Sequence, residues 1–279
     1  SGRVPLTVAA MVNCARTHEY GLAHVEESPL RTRGYLELHG RLLTGVNRSA
    51  STPGEFRHTS GWDLNLRPDL VDPLNLPPPP SEAERAFRDF DRYIHSDYDI
   101  PPLVRLALIH FQFAAISPFA EGNGRLGRIL LLLLLKMEGL LQTPLLCLSA
   151  YFYRHAKLYR QLMVDVTTQA RWIPWIEFFL KGVSEESEHS LELLARLRAI
   201  RATIERGVGG RKTKATTEVS RFLIRRPVFT QNQAIEAWGG VEETKRRLSL
   251  LLEANLISAR DPIDGHHAFK CCPILEAME

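Results

Sequence analysis

Ile116-Ser117-Pro118-Phe119-Ala120-Glu121-Gly122-Asn123-Gly124-Arg125-Leu126-Gly127-Arg128 is the densest chemical signal in the chain, and the aliphatic run Ile129 to Leu135 follows it directly. A glycine-containing turn that feeds a helix offers backbone N–H groups and a partial positive charge, which is an anion site from first principles. Arg125 and Arg128 sit three apart on one helix face, within joint reach of a polyphosphate. Glu121 adds one hard carboxylate oxygen of the kind Mg2+ takes beside nucleotide phosphates. Gly122-x-Gly124-x-x-Gly127 also spells a dinucleotide fingerprint, but that motif must follow a strand. Here Leu103 to Ile116 is apolar on nearly every side and reads as a buried helix, so the dinucleotide fold is set aside. The plainer reading is a glycine turn between two core helices with its arginines facing solvent.

Outward from this stretch the pattern is helical. Leu6 to Gly21 and Arg31 to Leu43 carry apolar residues at mixed spacings of three and four, as amphipathic helices do. Asn47 to Leu66 changes to Ser, Thr, Pro and Gly with scattered Arg, Trp and Phe, the composition of an extended loop or short hairpin. Pro77 to Pro80 is a stiff connector, and Ser81 with Glu84 spells a capping box for a helix that runs to His95. A further helix starts at Pro101 or Pro102. Ser149 to Val166 and Trp172 to Ile204 continue the pattern, and Gly207, Gly209 and Gly210 with Arg211, Lys212 and Lys214 mark a linker.

The chain has 279 residues, 44% of them hydrophobic and 24% charged, with a net charge of +3. That suits one large core and a smaller appended domain, and it excludes a mostly disordered chain. A mildly basic balance does not by itself argue for nucleic acid. Cys14, Cys147, Cys271 and Cys272 form no CxxC and no metal-ligand spacing, so the reading is a cytoplasmic protein without a disulfide framework. The longest aliphatic run is far shorter than the roughly 20 residues that span a bilayer, so no membrane segment is expected. Ser1 to Pro5 hold neither Met nor a signal pattern, which suggests a trimmed start.

The string from Ser117 to Arg128 resembles the Fic motif, His-Pro-Phe-x-Asp/Glu-Gly-Asn-Gly-Arg-x-x-Arg, and matches eight of its nine specified positions. Thr52-Pro53-Gly54-Glu55-Phe56-Arg57 is similar to the family's flap, and His110-Phe111-Gln112-Phe113 to the helix that enters the active loop. Leu148 to Phe152 and Trp172 to Trp175 are similar to its later helices, so the resemblance covers about Leu6 to Val183. It implies an all-α fold, a Fic/Fido helical core with a short β-hairpin flap, that transfers AMP from ATP, with Mg2+, to a Ser, Thr or Tyr hydroxyl of a protein target. Carried over by position, Gly122, Asn123 and Gly124 hold the α and β phosphates, Glu121 the metal and Arg128 the terminal phosphate. Arg125 supports the anion site and Tyr159 lies beside the base, although a helical tyrosine is more often core. The flap, with Glu55, Phe56, Arg57 and Trp62, pairs with an extended target segment by strand addition.

The departure from the motif is Ser117, which stands where the family has a histidine that takes the proton from the attacking hydroxyl. A neutral serine cannot do this usefully, and losing a positioned base costs on the order of 10² to 10⁴ in rate. The chain is therefore expected to bind nucleotide and react poorly. Both an engineered substitution and a natural degenerate site account for Ser117. His110 lies two helical turns earlier and reads as a core histidine. Many relatives carry an inhibitory Ser/Thr-x-x-x-Glu-Gly/Asn helix, and no such motif precedes the core here.

From Thr216 three short helical stretches, Glu218 to Arg225, Gln231 to Trp238 and Glu242 to Ala254, precede a turn-rich segment through Asp261, Asp264 and Gly265, the order of a winged helix. The expected domains are therefore a catalytic core over 1–205, a linker over 206–214 and a winged helix over 215–279. Arg225, Arg226, Lys245, Arg246 and Arg247 offer a phosphate-facing patch, but the third stretch mixes both signs, so DNA binding is possible and not favoured. A homodimer is also possible. Against the attenuated transferase stands a non-catalytic nucleotide-binding regulator acting through the winged helix. A third reading keeps the fold but transfers another phosphate-linked group.

Overall fold

The structure is a computed structural model, which describes residues 5–46, 52–58, 77–143, 145–209 and 213–278. The chain divides into two compact units, Ser1–Ser187 and Glu188–Glu279. Among its described residues the elements of the first are all helices: α1 (Leu6–Glu27), α2 (Thr32–Leu43), α3 (Pro80–Ile94), α4 (Pro102–Ile116), α5 (Asn123–Met137), α6 (Leu148–Arg154), α7 (Ala156–Gln169) and the first part of α8 (Trp172–Gly209).

The core of this unit forms around α4 because its sequence is apolar around most of the helix, with Gln112 exposed. Leu106, Ala107, Ile109, Phe111, Phe113 and Ile116 are all buried. Phe113 meets Phe90 of α3 at 5.8 Å between ring centroids and Phe87 at 6.4 Å. On α8 the fully buried Trp175 donates its indole N–H to the Ala107 carbonyl at 2.9 Å, which satisfies the one polar atom that ring brings into the core. The leucine run of α5 is buried along most of its length, from Leu126 to Leu135.

Three boundaries differ from expectation, each for a physical reason. α3 begins at Pro80, with Pro79 before it and no side-chain cap, so Ser81 lies inside the helix and the capping box with Glu84 does not form. Pro80 has the helical φ fixed and no N–H to satisfy, so a first-turn proline starts the helix without a serine cap. The stretch from Ser149 to Val166 is two helices, broken at His155, whose φ of −108° and ψ of 28° lie off the helical values. α8 runs past Ile204 to Gly209, so positions 206–209 are helix rather than linker, and Val208 is buried. Residues 52–58 form a turn and an extended stretch with no strand. The remainder of the expected flap hairpin, Trp62 included, lies outside the described residues.

The second unit continues α8 with α9 (Lys214–Arg225), β1 (Val228–Thr230), α10 (Gln231–Trp238), α11 (Val241–Glu253), β2 (Ser258–Ile263), β3 (His266–Lys270) and α12 (Cys272–Met278). The three strands make an antiparallel sheet in the order β1-β3-β2. Two capping boxes, Thr213 with Thr216 and Thr230 with Gln233, start α9 and α10. Its own core gathers Phe222, Phe229, Trp238, Leu251 and Ile257, together with Ile204 and Val208 of α8.

Candidate functional site

Ser117 ends α4 in the left-handed conformation, with φ of 42° and ψ of 65°. This turns the chain sharply out of the helix and starts the loop that Gly122, at φ of 81°, ends by entering α5. Asn123 clasps the loop from both sides. Its Oδ1 accepts the Phe119 N–H at 3.1 Å while its Nδ2 donates to the Phe119 carbonyl at 2.7 Å. No side chain caps α5. Its first-turn N–H groups have no intrahelical partners, and an anion can take them.

Beside this helix start lies a cavity of about 600 Å3, walled by Ser117, Asn123, Gly124, Arg128, Tyr159 and His110 with residues of α6 and α7. Five of the expected site residues thus converge on one space. Glu121, Gly122 and Arg125 are not among its walls; they lie on the loop and the first turn of α5. Arg128 is half-buried, and burial holds its guanidinium below its usual basicity. It makes no hydrogen bond or ion pair with any described residue. Gly124 makes room for it, since a Cβ there would lie 3.2 Å from Arg128 Nη1.

His110 and Tyr159 close the floor, with Nε2 and Oη 3.2 Å apart. Burial, with Arg128 nearby, pushes the imidazole of His110 down to about 3. Burial likewise raises the Tyr159 phenol to about 12, with Arg128 acting against it. Both groups are uncharged at neutral pH. His110 lies in an aromatic box, stacked on Phe152 at 5.0 Å and Trp175 at 6.1 Å. It is a core histidine, as expected, and it also forms part of the cavity wall.

The side chains expected on the target-docking flap part company. Glu55 is exposed, but Phe56 turns inward between Phe87, at 5.1 Å, and Phe119, at 5.8 Å. Arg57 is buried: its Nε donates to the Ser117 carbonyl at 2.8 Å, its Nη2 to those of Pro78 and Ile116, and its backbone N–H to Pro118 at 3.0 Å. Arg57 therefore holds the bend that carries Ser117 and is not free to meet a target. A fork of fixed donors suits a cluster of carbonyls, which explains arginine here.

His39 is a site residue that the reading of the sequence missed. Its Nε2 lies 3.0 Å from the Glu121 carbonyl, its Nδ1 accepts the Gly54 N–H at 2.9 Å, and its ring stacks on Phe119 at 3.8 Å. The signal was present: on α2 the buried residues Tyr35, Leu38, Leu42 and Leu43 form an apolar stripe, and His39 interrupts it. A polar group in such a stripe needs partners.

The basic patch expected on the second unit is partly paired, while Arg225 and Arg226 stay exposed and form no ion pair with a described residue. Lys245 pairs with Glu242 at 2.9 Å, Arg246 with Glu243 at 2.7 Å and Arg247 with Glu243 at 2.6 Å, and Arg247 is buried. Among the described residues no cluster of three or more His, Cys, Asp or Glu side chains could hold a metal ion. No described helix is long and apolar enough to cross a membrane.

The sequence family that these features match is specific. Residues 29–135 match the Fic/DOC family. This Fic-matched stretch holds α2 to α4, the whole loop and α5 as far as Leu135. Proteins called "Protein adenylyltransferase Fic" from Drosophila sechellia and Drosophila melanogaster are 30% identical over 117 residues, covering 41% of this chain and 22% of their own length. The chain therefore spans well under half of those relatives. A crystal structure of a Fic family protein from Desulfovibrio desulfuricans G20 superposes over 97% of this chain and 76% of that one, with a TM-score of 0.58 and 19% identity. The overall fold is the helical fold of that Fic family protein.

Proposed function

We propose that the chain is a Fic-family nucleotidyl-transfer scaffold that binds ATP at the loop before α5 and acts on a protein hydroxyl, attenuated by Ser117. One observation carries the reading: Arg128, a half-buried guanidinium with no anion among the described residues, stands at a cavity beside the uncapped N-terminus of α5. A desolvated cation with no partner is costly, and a polyphosphate restores its pairing while taking the free N–H groups. The names of the Drosophila relatives support transfer of AMP as the activity.

Glu121 fits Mg2+ of the expected kind. It is half-buried on the loop, two residues before the cavity-wall residue Asn123, and gives one carboxylate, and Mg2+ bound to nucleotides takes its other ligands from phosphates and water. When bound, the ion would neutralise phosphate charge as the leaving pyrophosphate develops. Asn123 and the first turn of α5 would orient the phosphates, and Tyr159 with Phe152 would flank the base. Exposed Glu55 would meet the target segment on the flap side of the loop.

Among the described residues the site offers no base. Ser117 Oγ donates to the Ala114 carbonyl at 2.7 Å, so its proton is committed to an oxygen that cannot accept it chemically. His110 offers no substitute, because its imidazole stays neutral to about 3 and its Nε2 faces Tyr159. The same facts favour the second reading, a nucleotide-binding regulator that does not transfer.

The second unit, with its order of helix, strand, helix, helix and hairpin and its three-stranded sheet, reads as a winged helix. The ion pairs on α11 take up the cations of the third helix and leave Arg225 and Arg226 exposed, so DNA is not favoured and its part in this reading is protein contact, with the target or a second copy, in the cytoplasm. Incubating the chain and its Ser117→His variant with labelled ATP and Mg2+, with UTP as control, tests the proposal. Labelled protein with the variant alone establishes an AMP transferase lacking its base. Silence from both, with ATP still bound, favours the regulator or an absent target.

A further inference from the structure

We infer that His39 is a positioning residue that ties the root of the flap to the phosphate and cation loop, donating from Nε2 to the Glu121 carbonyl and accepting the Gly54 amide at Nδ1. The inference rests on the functional reading above, which makes Glu121 the cation ligand and the segment after Gly54 the target-docking flap.

The two distances, 3.0 Å to Glu121 O and 2.9 Å from Gly54 N, set the chemistry of the ring. A carbonyl only accepts and an amide N–H only donates, so the proton sits on Nε2 and the lone pair on Nδ1. The ring cannot rotate away, because Phe119 covers its face at 3.8 Å with planes 14° apart. The turn at the far end is equally fixed. Gly54, at φ of 86°, lies on α2 so closely that a Cβ would come within 3.3 Å of the Leu36 carbonyl, and Gly40 faces its Cα. Only an acceptor and a donor on opposite edges of one rigid ring reach both segments. Asparagine has a polar atom where Nδ1 lies, and glutamine one where Nε2 lies. Each amide can therefore serve one arm and lose the other.

Glu121 and Glu55 are adjacent in sequence to the two atoms His39 holds, its own carbonyl in the first case and the Gly54 amide in the second. A single side chain thus sets the distance between the carboxylate that would hold the cation and the exposed residue that would meet the target. Deleting one arm should disturb one segment and spare the other, which a residue that merely fills the core would not do.

The wild-type chain gives the first test. Long-range 15N–1H correlation of His39 should show a neutral ring with its proton on Nε2; a proton on Nδ1 overturns the inference. Two variants then separate the arms, with ATP binding read by calorimetry with and without Mg2+, and Gly54 amide exchange read by NMR. His39→Asn should keep Gly54 protected and lose about tenfold or more of the gain in ATP affinity that Mg2+ brings. His39→Gln should keep that gain within about twofold, as its donor is preserved, while Gly54 exchanges at least about fivefold faster. Both variants changing the two readouts together, or neither, would reduce His39 to a packing residue. ATP failing to bind the wild-type chain would instead sink the functional reading, and the ring tautomer and Gly54 exchange would still decide the tether.

Discussion

Arg57 shows how far a residue's role depends on burial. Read as part of a Thr-Pro-Gly turn it belongs on a surface loop facing a target, yet it is 3% exposed and its guanidinium spans carbonyls of Ile116, Ser117 and Pro78. Replacing it with Met should leave those buried acceptors unsatisfied and cost about 2 to 4 kcal/mol, measured by urea unfolding of the first unit. A loss below about 0.5 kcal/mol would mean the carbonyls find water instead. The loop itself was legible in the sequence, because its glycines, acid and arginines are local and adjacent. Arg57 and His39 were not, since their partners lie 60 and 82 residues away and no local pattern names them.

His110 gives the site a pH signature. Unfolded, its imidazole titrates near 6.5, and folded it does so at about 3, because burial disfavours the cation. The unfolded chain therefore binds the extra proton between those values, and stability falls as pH drops through that window. At pH 5 the loss from this residue alone is about 2 kcal/mol, fully developed only near pH 3. Comparing urea midpoints at pH 7 and pH 5 for the chain and for His110→Asn checks it. The variant should lose less on acidification, and equal losses would contradict the assignment.

Among the elements, α5 and α8 show what spacing reveals and what it hides. The aliphatic run of α5 announced a buried helix, and the glycine-rich turn announced its start. α8 was extended beyond expectation because Val208 and Ile204 find a core, so the glycines that read as a linker are helical up to Gly209. Packing explains another glycine of α8. A Cβ on Gly182 would come within 2.5 Å of Tyr151 Cδ1, ring atoms that cannot give way easily. Gly182→Ala should cost about 1 to 3 kcal/mol through overpacking, read as a lower thermal midpoint, despite alanine's better helix propensity. A gain in midpoint would show that α6 can slide.

For the whole molecule, two separate cores imply that damage to one unit need not reach the other's chemistry. Trp238 is 4% exposed and packs on Phe222 at 5.1 Å. Trp238→Ala should destabilise the second unit by about 3 to 5 kcal/mol while leaving ATP affinity within about twofold. A large loss of ATP affinity would instead couple the units, which the regulator reading needs. The order of elements in this unit was legible from helical periodicity and turn residues. Its charge was not, because the pairing of Lys245, Arg246 and Arg247 with Glu242 and Glu243 depends on rotamers rather than on composition.

The central claim is that Arg128 and the N-terminus of α5 form a nucleotide phosphate site. Calorimetric titration of the chain and of Arg128→Gln with ATP and Mg2+ tests it most directly. The account predicts saturable binding to the chain and at least about tenfold weaker binding to the variant, the worth of one charge-assisted pair. Equal affinity for the two proteins, or no saturable binding to the chain, would contradict it.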